Sequence, residues 1–285
     1  MKSTRNVALT LLLIVPAILL LVGVLVVPLT EIVGASFYRA NMGIIGDEFS
    51  FDNYRQILTS LLYWEIFLKT IGSALLVTFL CAIFGYPIAA HLVRAPARYQ
   101  PILFFLVAAP LLVNTVVRTY GWLLILGQVG VVNVVLRQLG LTDGPLRLTS
   151  NYFGMIIGSV QVFMPFMILS IATSMRGIDR HVLQAADILG ATPAHRLRTI
   201  ELPLIAPGLI AGAVLVFGLM LGAFVTPLML GGTAIKYLSV SVYMDSMVTF
   251  NLPRAIALSM VLLFVVSLAY TIQAALTKKY SQVHA

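Results

Sequence analysis

The chain is poor in charge. Asp, Glu, Lys and Arg make up 10% of its 285 residues and apolar residues 60%, where soluble domains carry roughly 25% and 45–50%. With a mean hydropathy of +1.01, a water-soluble globule is excluded and a polytopic membrane protein is left. Cysteine is nearly absent. Cys81 stands alone, which rules out a disulfide within the chain and a cysteine-based metal site; set in an apolar run, it reads as a small buried hydrophobe. A Gly-x-x-x-x-Gly-Lys-Ser/Thr loop is missing too, because none of Lys2, Lys69, Lys236, Lys278 and Lys279 follows a glycine. Such a loop cradles nucleotide phosphates, so ATP-derived energy has to enter through another subunit.

What is present is six apolar runs, each long enough for a helix to cross a hydrocarbon core of roughly 30 Å. They are residues 7–29, 70–90, 101–127, 152–175, 204–230 and 255–276. The first is longer than a signal-peptide core of about 7–15 residues and is read as retained, although Val33-Gly34-Ala35 loosely resembles a cleavage site. The runs contain no Asp, Glu or His, and Arg118 is their one charge. That disfavours an ion-coupled secondary transporter, the alternative function, since such carriers place ionisable groups inside the membrane. A membrane hydrolase is weaker still: Ser159 has no intramembrane histidine, and His91 lies at the inner end of the second run.

The basic excess, 18 Lys+Arg against 10 Asp+Glu, would suggest nucleic acid in a soluble protein. Its placement makes it a topology signal instead. With the N-terminus inside, the cytoplasmic segments hold ten basic and three acidic residues, and the opposite side holds seven of each. Basic residues are retained on the cytoplasmic side, so both termini are expected there and no nucleic-acid partner is required.

The longer cytoplasmic connection, residues 176–203, has its own pattern. Asp179 is placed to cap a short helix with the apolar face Val182, Leu183, Ala186 and Leu189, and Gly190 suits a left-handed stop. Thr192-Pro193 restarts a second short helix. The spacing Gln184-Ala185-Ala186, Gly190, Ile200 and Leu202-Pro203 resembles the signature loop of the permease subunits of ABC importers, in which the first position is Glu. The resemblance implies an all-α, single-domain permease over residues 1–285 with six transmembrane helices, of the type I importer kind. It implies that Gln184, Ala185, Ala186, Asp187, Gly190, Ile200, Leu202 and Pro203 form or support a coupling helix that docks on an ATP-hydrolysing subunit. Small Ala185 and Ala186 permit close approach, and Arg180, Arg196 and Arg198 are expected to meet acidic rims on that subunit. Gln for Glu turns an ion pair into a neutral hydrogen bond and is expected to weaken docking.

The fifth run carries Gly208-x-x-x-Gly212 and Gly218-x-x-x-Gly222 and then Pro227. Small residues four apart let helices approach, and a membrane proline frees backbone groups that protein or a water-filled cavity must satisfy, which places a translocation path beside this helix. Phe224-Val-Thr226-Pro227, Phe51-Asp-Asn-Tyr54 and Arg118-Thr-Tyr120-Gly-Trp122 look like segments of permeases of the spermidine/putrescine type. Arg118 lies 17 residues past Pro101, about 26 Å along a continuous helix, near the outer face. It either lines an outer gate or reaches the interface, where Tyr120 and Trp122 are typical belt residues. Asp245 and Glu65 are the carboxylates nearest the spans; Asp245 is a candidate cation contact or a solvated loop residue.

The resemblance further implies two ATP-binding subunits, a second related permease in a heterodimer, an extracytoplasmic solute-binding protein and a lipid environment in a bacterial inner membrane. It implies no catalysis, metal or cofactor in this chain itself, with ATP and Mg used by the partner subunits.

Overall fold

Proline and asparagine decide where the apolar runs bend or stop. The computed structural model describes residues 15, 16, 18–41, 44–232 and 235–283. Residues 7–14 and 17 of the first expected span lie outside them. The order is α1 (Ile18–Ala35), β1 (Tyr38–Asn41), β2 (Ile44–Phe49), α2 (Asp52–Thr59), α3 (Leu61–Arg94), α4 (Gln100–Leu112), α5 (Thr115–Leu126), α6 (Val131–Gln138), α7 (Tyr152–Arg176), α8 (Arg180–Ile188), α9 (Pro193–Leu221), α10 (Leu238–Met247) and α11 (Leu252–Val283). Six helical stretches among the described residues are long and apolar enough to cross a membrane, as expected. The chain divides into two compact units, residues 1–64 with 241–261 and residues 65–240 with 262–285.

In the first unit the all-α pattern is relieved by a small antiparallel hairpin, β1 with β2, pairing Tyr38 with Phe49 and Asn41 with Ile44. Here the Phe51-Asp-Asn-Tyr54 segment has a structural use. Asn53 Nδ2 donates to the carbonyls of Ser36 (3.0 Å) and Tyr38 (2.9 Å), and Tyr54 Oη lies 2.8 Å from Ser36 Oγ. These bonds satisfy the backbone where α1 ends, and the rings of Phe37, Phe49, Phe51 and Tyr54 pack over the junction. Arg39 pairs with Asp52, and the guanidinium holds that carboxyl below its usual range.

In the second unit α7 lies along α9, and Gly208 and Gly212 set the spacing. A side chain at Gly208 would meet the Ser170 carbonyl and Ser174, and one at Gly212 would meet Met167 and Ser170. Two expected spans are broken. The third is not one helix over 101–127: Pro110 lies near the end of α4, Val113 is extended, and Asn114 caps α5 by accepting from Val116 N at 2.8 Å. The 26 Å measured along an unbroken helix to Arg118 therefore does not apply.

The fifth expected span, 204–230, is shifted. Thr192 and Pro193 do not begin a separate short helix but α9 itself, which contains a π-helical turn at Leu197–Glu201 and ends at Leu221. Residues 222–224 are non-helical and a second π turn follows at Pro227–Gly231. Carbonyls freed by this break find donors in the returning chain: Tyr237 Oη donates to Met220 O at 2.7 Å and Ser239 Oγ to Ala223 O. Leu238 N donates to Thr70 Oγ1 at 3.0 Å. In a membrane such groups must be satisfied by protein.

Candidate functional site

The loop after α7 is capped at both ends of its helix. Asp179 Oδ1 accepts from His181 N at 2.9 Å, satisfying one of the free donors of the first turn. At the other end Gly190 has φ +78°, Gly190 N bonds Asp187 O at 3.1 Å and Ala191 N bonds Ala186 O at 3.0 Å. This is the paired closure of a Schellman stop, which needs the left-handed residue a glycine supplies. Thr192 Oγ1 accepts from His195 N at 3.3 Å to open α9.

The expected apolar face of α8 is divided. Ala186 is buried and Leu183 half-buried, but Val182 is exposed and Ile188 and Leu189 are each 86% exposed. Gln184, Ala185 and Asp187 are also exposed. A short, well-capped helix thus presents an apolar tip beside two small or neutral residues. In a soluble loop two bare branched side chains are a liability; as an anchor pair they suit a groove on another subunit.

Beneath the tip is a charge cluster that sequence reading missed. Glu201, counted from sequence only as a topology charge, is 2% exposed. Arg94 Nη2 donates to its Oε1 and Oε2, each at 2.7 Å, Tyr86 Oη to Oε2 at 2.5 Å, and Arg196 Nε to Oε1 at 3.1 Å. Arg196 Nη1 also donates to Asp187 Oδ1 at 2.7 Å and Oδ2 at 2.9 Å. Arg196, expected to face outward toward a partner's acidic rim, is engaged inside the chain; Arg198 is exposed. Of the expected coupling residues, Ile200, Leu202 and Pro203 are half-buried where the first π turn joins α9. The one available signal was Glu201 itself, an acid held between Ile200 and Leu202-Pro203 where the chain enters the membrane.

The expected pathway residues fall into two groups. Arg118, Tyr120 and Trp122 lie on α5, Phe224 in the break and Thr226 just before the second π turn. Thr119 and Thr226, both buried, approach to 3.4 Å through their hydroxyls, so α5 meets the broken fifth span. Arg118 Nη2 donates to Thr115 Oγ1 at 3.3 Å, whereas its Nε and Nη1 are buried without an acceptor among the described residues. Trp122 Nε1 donates to Gln161 Oε1 at 3.3 Å, and Tyr120 is exposed.

Asp245 belongs to the other unit and is not a solvated loop residue. It is buried in α10, where Arg254 Nε donates to Oδ2 at 2.8 Å and Nη2 to Oδ1 at 2.5 Å, with Thr249 Oγ1 on Oδ1 at 3.2 Å. Its carboxylate is fully engaged and is not open to a solute cation. Glu65 pairs with Lys69 and Lys236. Among the described residues no group of three or more His, Cys, Asp or Glu side chains is placed to hold a metal ion.

The chain is similar to known transport proteins along most of its length. The spermidine/putrescine transport system permease protein PotB of Escherichia coli (strain K12) is 35% identical over 206 residues, 72% of this chain and 74% of that protein. Its namesake in Haemophilus influenzae is 30% identical over 226 residues, 79% and 76% of the two chains. Among solved structures, a bacterial ABC transporter involved in the import of the acidic polysaccharide alginate superposes with a TM-score of 0.71 over 96% of this chain and 98% of that one, at 19% identity. The fold is that of a type I ABC importer permease. Residues 82–282 match the family described as binding-protein-dependent transport system inner membrane component, and the chain belongs to that family of multi-pass inner-membrane permeases.

Proposed function

We propose that this chain is one half of the membrane pore of an ATP-driven importer for a polyamine of the spermidine/putrescine type. The observation that carries the reading is the coupling loop: a doubly capped helix whose tip, Ile188 and Leu189, is bare to solvent. Two ATP-binding subunits dock on that tip and on its counterpart in a second, related permease, and a solute-binding protein delivers the polyamine from outside. The whole chain works as one permease domain with both termini in the cytoplasm. It performs no catalysis and holds no cofactor; ATP and Mg act in the partner subunits.

In this reading ATP draws the docked subunits together, and the coupling helices follow. The spans shift between inward-open and outward-open states, and hydrolysis restores the first. Direction requires that nucleotide and loaded binding protein favour different states. The path in this reading runs beside the break at residues 222–224 and the contact of Thr119 with Thr226. Among the described residues Asp245 and Glu65 are both engaged by basic side chains, which leaves cation selection largely to the binding protein.

Arg118 favours a second reading. Its buried, unaccepted donors would suit a solute bearing carboxylate, because an uncompensated buried charge is costly. The ion-coupled carrier gains nothing: the buried carboxylates Glu201 and Asp245 are each paired with arginine.

The test is co-purification with the proteins encoded nearby, followed by ATPase assay with loaded binding protein and a panel of polyamines and carboxylate solutes. Capture of an ATPase subunit and stimulation by spermidine or putrescine is the expected result. Stimulation by a carboxylate alone moves the assignment to the second reading, and uptake that follows an ion gradient without any ATPase subunit overturns both.

A further inference from the structure

The charge cluster under the coupling loop joins three helices, α3, α8 and α9. In an α-helix, residues three and four apart share a face and residues five apart do not. Arg196 and Glu201 are five apart, yet they meet, because Leu197–Glu201 is a π turn closed by the Leu202 N–H on the Leu197 carbonyl. Such turns are rare and concentrate at functional positions. The turn directs Glu201 into the protein, onto Arg94 and Tyr86 of α3, residues more than a hundred positions away in sequence.

Arg196 then bridges two acids. One end of its planar guanidinium is on Glu201 and the other grips both oxygens of Asp187 on α8. Charge-assisted bonds to a planar fork fix orientation as well as distance. The chain Asp187, Arg196, Glu201, Arg94 is the polar connection from the docking helix to the inner end of α3 among the described residues.

Apolar packing there is incomplete. Val93, Arg94, Gln100, Met175, Leu183 and Glu201 line a partly open pocket of about 310 Å³. Packed side chains transmit displacement because interiors are dense; beside an open pocket the ion pairs of Glu201 with Arg94 and Arg196 are the direct contact.

We propose that Glu201 is a positioning residue that passes displacement of the docking helix to the second span, with Asp187 and Arg196 as its input and Arg94 and Tyr86 as its output. The inference rests on the importer reading above.

The test uses the complete transporter in proteoliposomes with spermidine-loaded binding protein, reading spermidine moved per ATP hydrolysed and the amount of assembled complex. Glu201→Gln is expected to lower spermidine per ATP at least tenfold. Adding Arg94→Gln to it should lower the ratio no further, and Glu201→Asp should restore part of it. Asp187→Asn, at an exposed position where folding is not at stake, should give the same direction of change should the Glu201 variant fail to assemble. An unchanged ratio in Asp187→Asn or in an assembled Glu201→Gln transporter overturns the proposal, as does a loss of uptake in Asp187→Asn that merely follows the loss of complex. A wild-type chain that captures no ATPase subunit would instead remove the importer reading, and this role with it; a coupled wild type beside a coupled Asp187→Asn removes this role alone.

Discussion

Gly208→Ala puts a methyl group where α7 and α9 leave no room. The added carbon would lie 2.6 Å from the Ser170 carbonyl oxygen and 2.7 Å from Ser174 Cβ, with Ser174 Oγ closer still. A hydroxyl can rotate away, but the carbonyl is helix backbone, so the two helices must part. Overpacking of this kind costs about 1–3 kcal/mol. Alanine returns about 1 kcal/mol through its better helix propensity. At Gly218 the same substitution meets Tyr270 Oη at 3.6 Å and Tyr270 Cε2 and Val266 Cγ1 at 3.7 Å, ordinary contacts, so the propensity gain stands alone.

The propensity contribution cancels between the two variants. Their difference is the overpacking cost itself, about 1–3 kcal/mol, or roughly 5- to 150-fold in the folding equilibrium. Gly212→Ala should fall between them: Met167 Sδ at 2.9 Å is the end of a flexible side chain, whereas Ser170 Cβ at 3.0 Å is fixed. The assay is thermal denaturation in mild detergent, followed by the loss of monodisperse protein. The expected order of stability is Gly218→Ala, then Gly212→Ala, then Gly208→Ala. Equal midpoints for the first and last would refute the claim that only the first glycine pair sets helix spacing.

Ile188→Ser with Leu189→Ser removes two side chains that are each 86% exposed, so stability should change by less than about 0.5 kcal/mol while capture of the ATPase subunit weakens at least tenfold in a detergent pull-down. Asp245→Asn leaves Arg254 without its carboxylate; loss of one partner of a buried pair costs up to about 3–5 kcal/mol, and less here because Arg254 is one-fifth exposed. Limited proteolysis should show an opened first unit, and Asp245→Asn with Arg254→Gln should be better than the single change. Thr226→Val keeps the volume but removes the hydroxyl facing Thr119, and should alter uptake of spermidine without altering ATPase association; lost association would make Thr226 a packing residue.

The existence of six spans was legible because their length and apolarity have no other use in a chain this poor in charge. Their interruptions were not. Pro227 pointed to freed backbone in the fifth span, but the break at Val113 depends on Asn114 capping a new helix, and an asparagine in an apolar run gives no warning of that. The continuity of α9 was hidden for the opposite reason: Thr192-Pro193 read as opening a short helix, but the charges of Arg196, Arg198 and Glu201 set that helix apart from the apolar run that it in fact enters. Hydropathy adds charges one at a time, while the fold pairs them, and a paired Glu201 can enter the protein with its helix. Asp245 was misread likewise, since its partner Arg254 lies nine residues away across a turn.

The coupling loop separates two kinds of apolar residue that a helical wheel treats alike. Leu183 and Ala186 face the chain's own spans; Ile188 and Leu189, at its C-terminal end, face outward. A wheel assumes that the apolar stripe of a helix packs on its own protein, which fails for a helix whose apolar residues are divided between its own chain and solvent. The same division explains why the motif spacing identified the loop while leaving its central acid unread. In the proposed reading, spacing describes the face offered to an ATPase subunit, with Ala185 and the Gly190 turn as its constraints, and constrains Glu201 not at all. What Glu201 does is set by Arg94 and Tyr86 on α3, and only the folded chain brings those together.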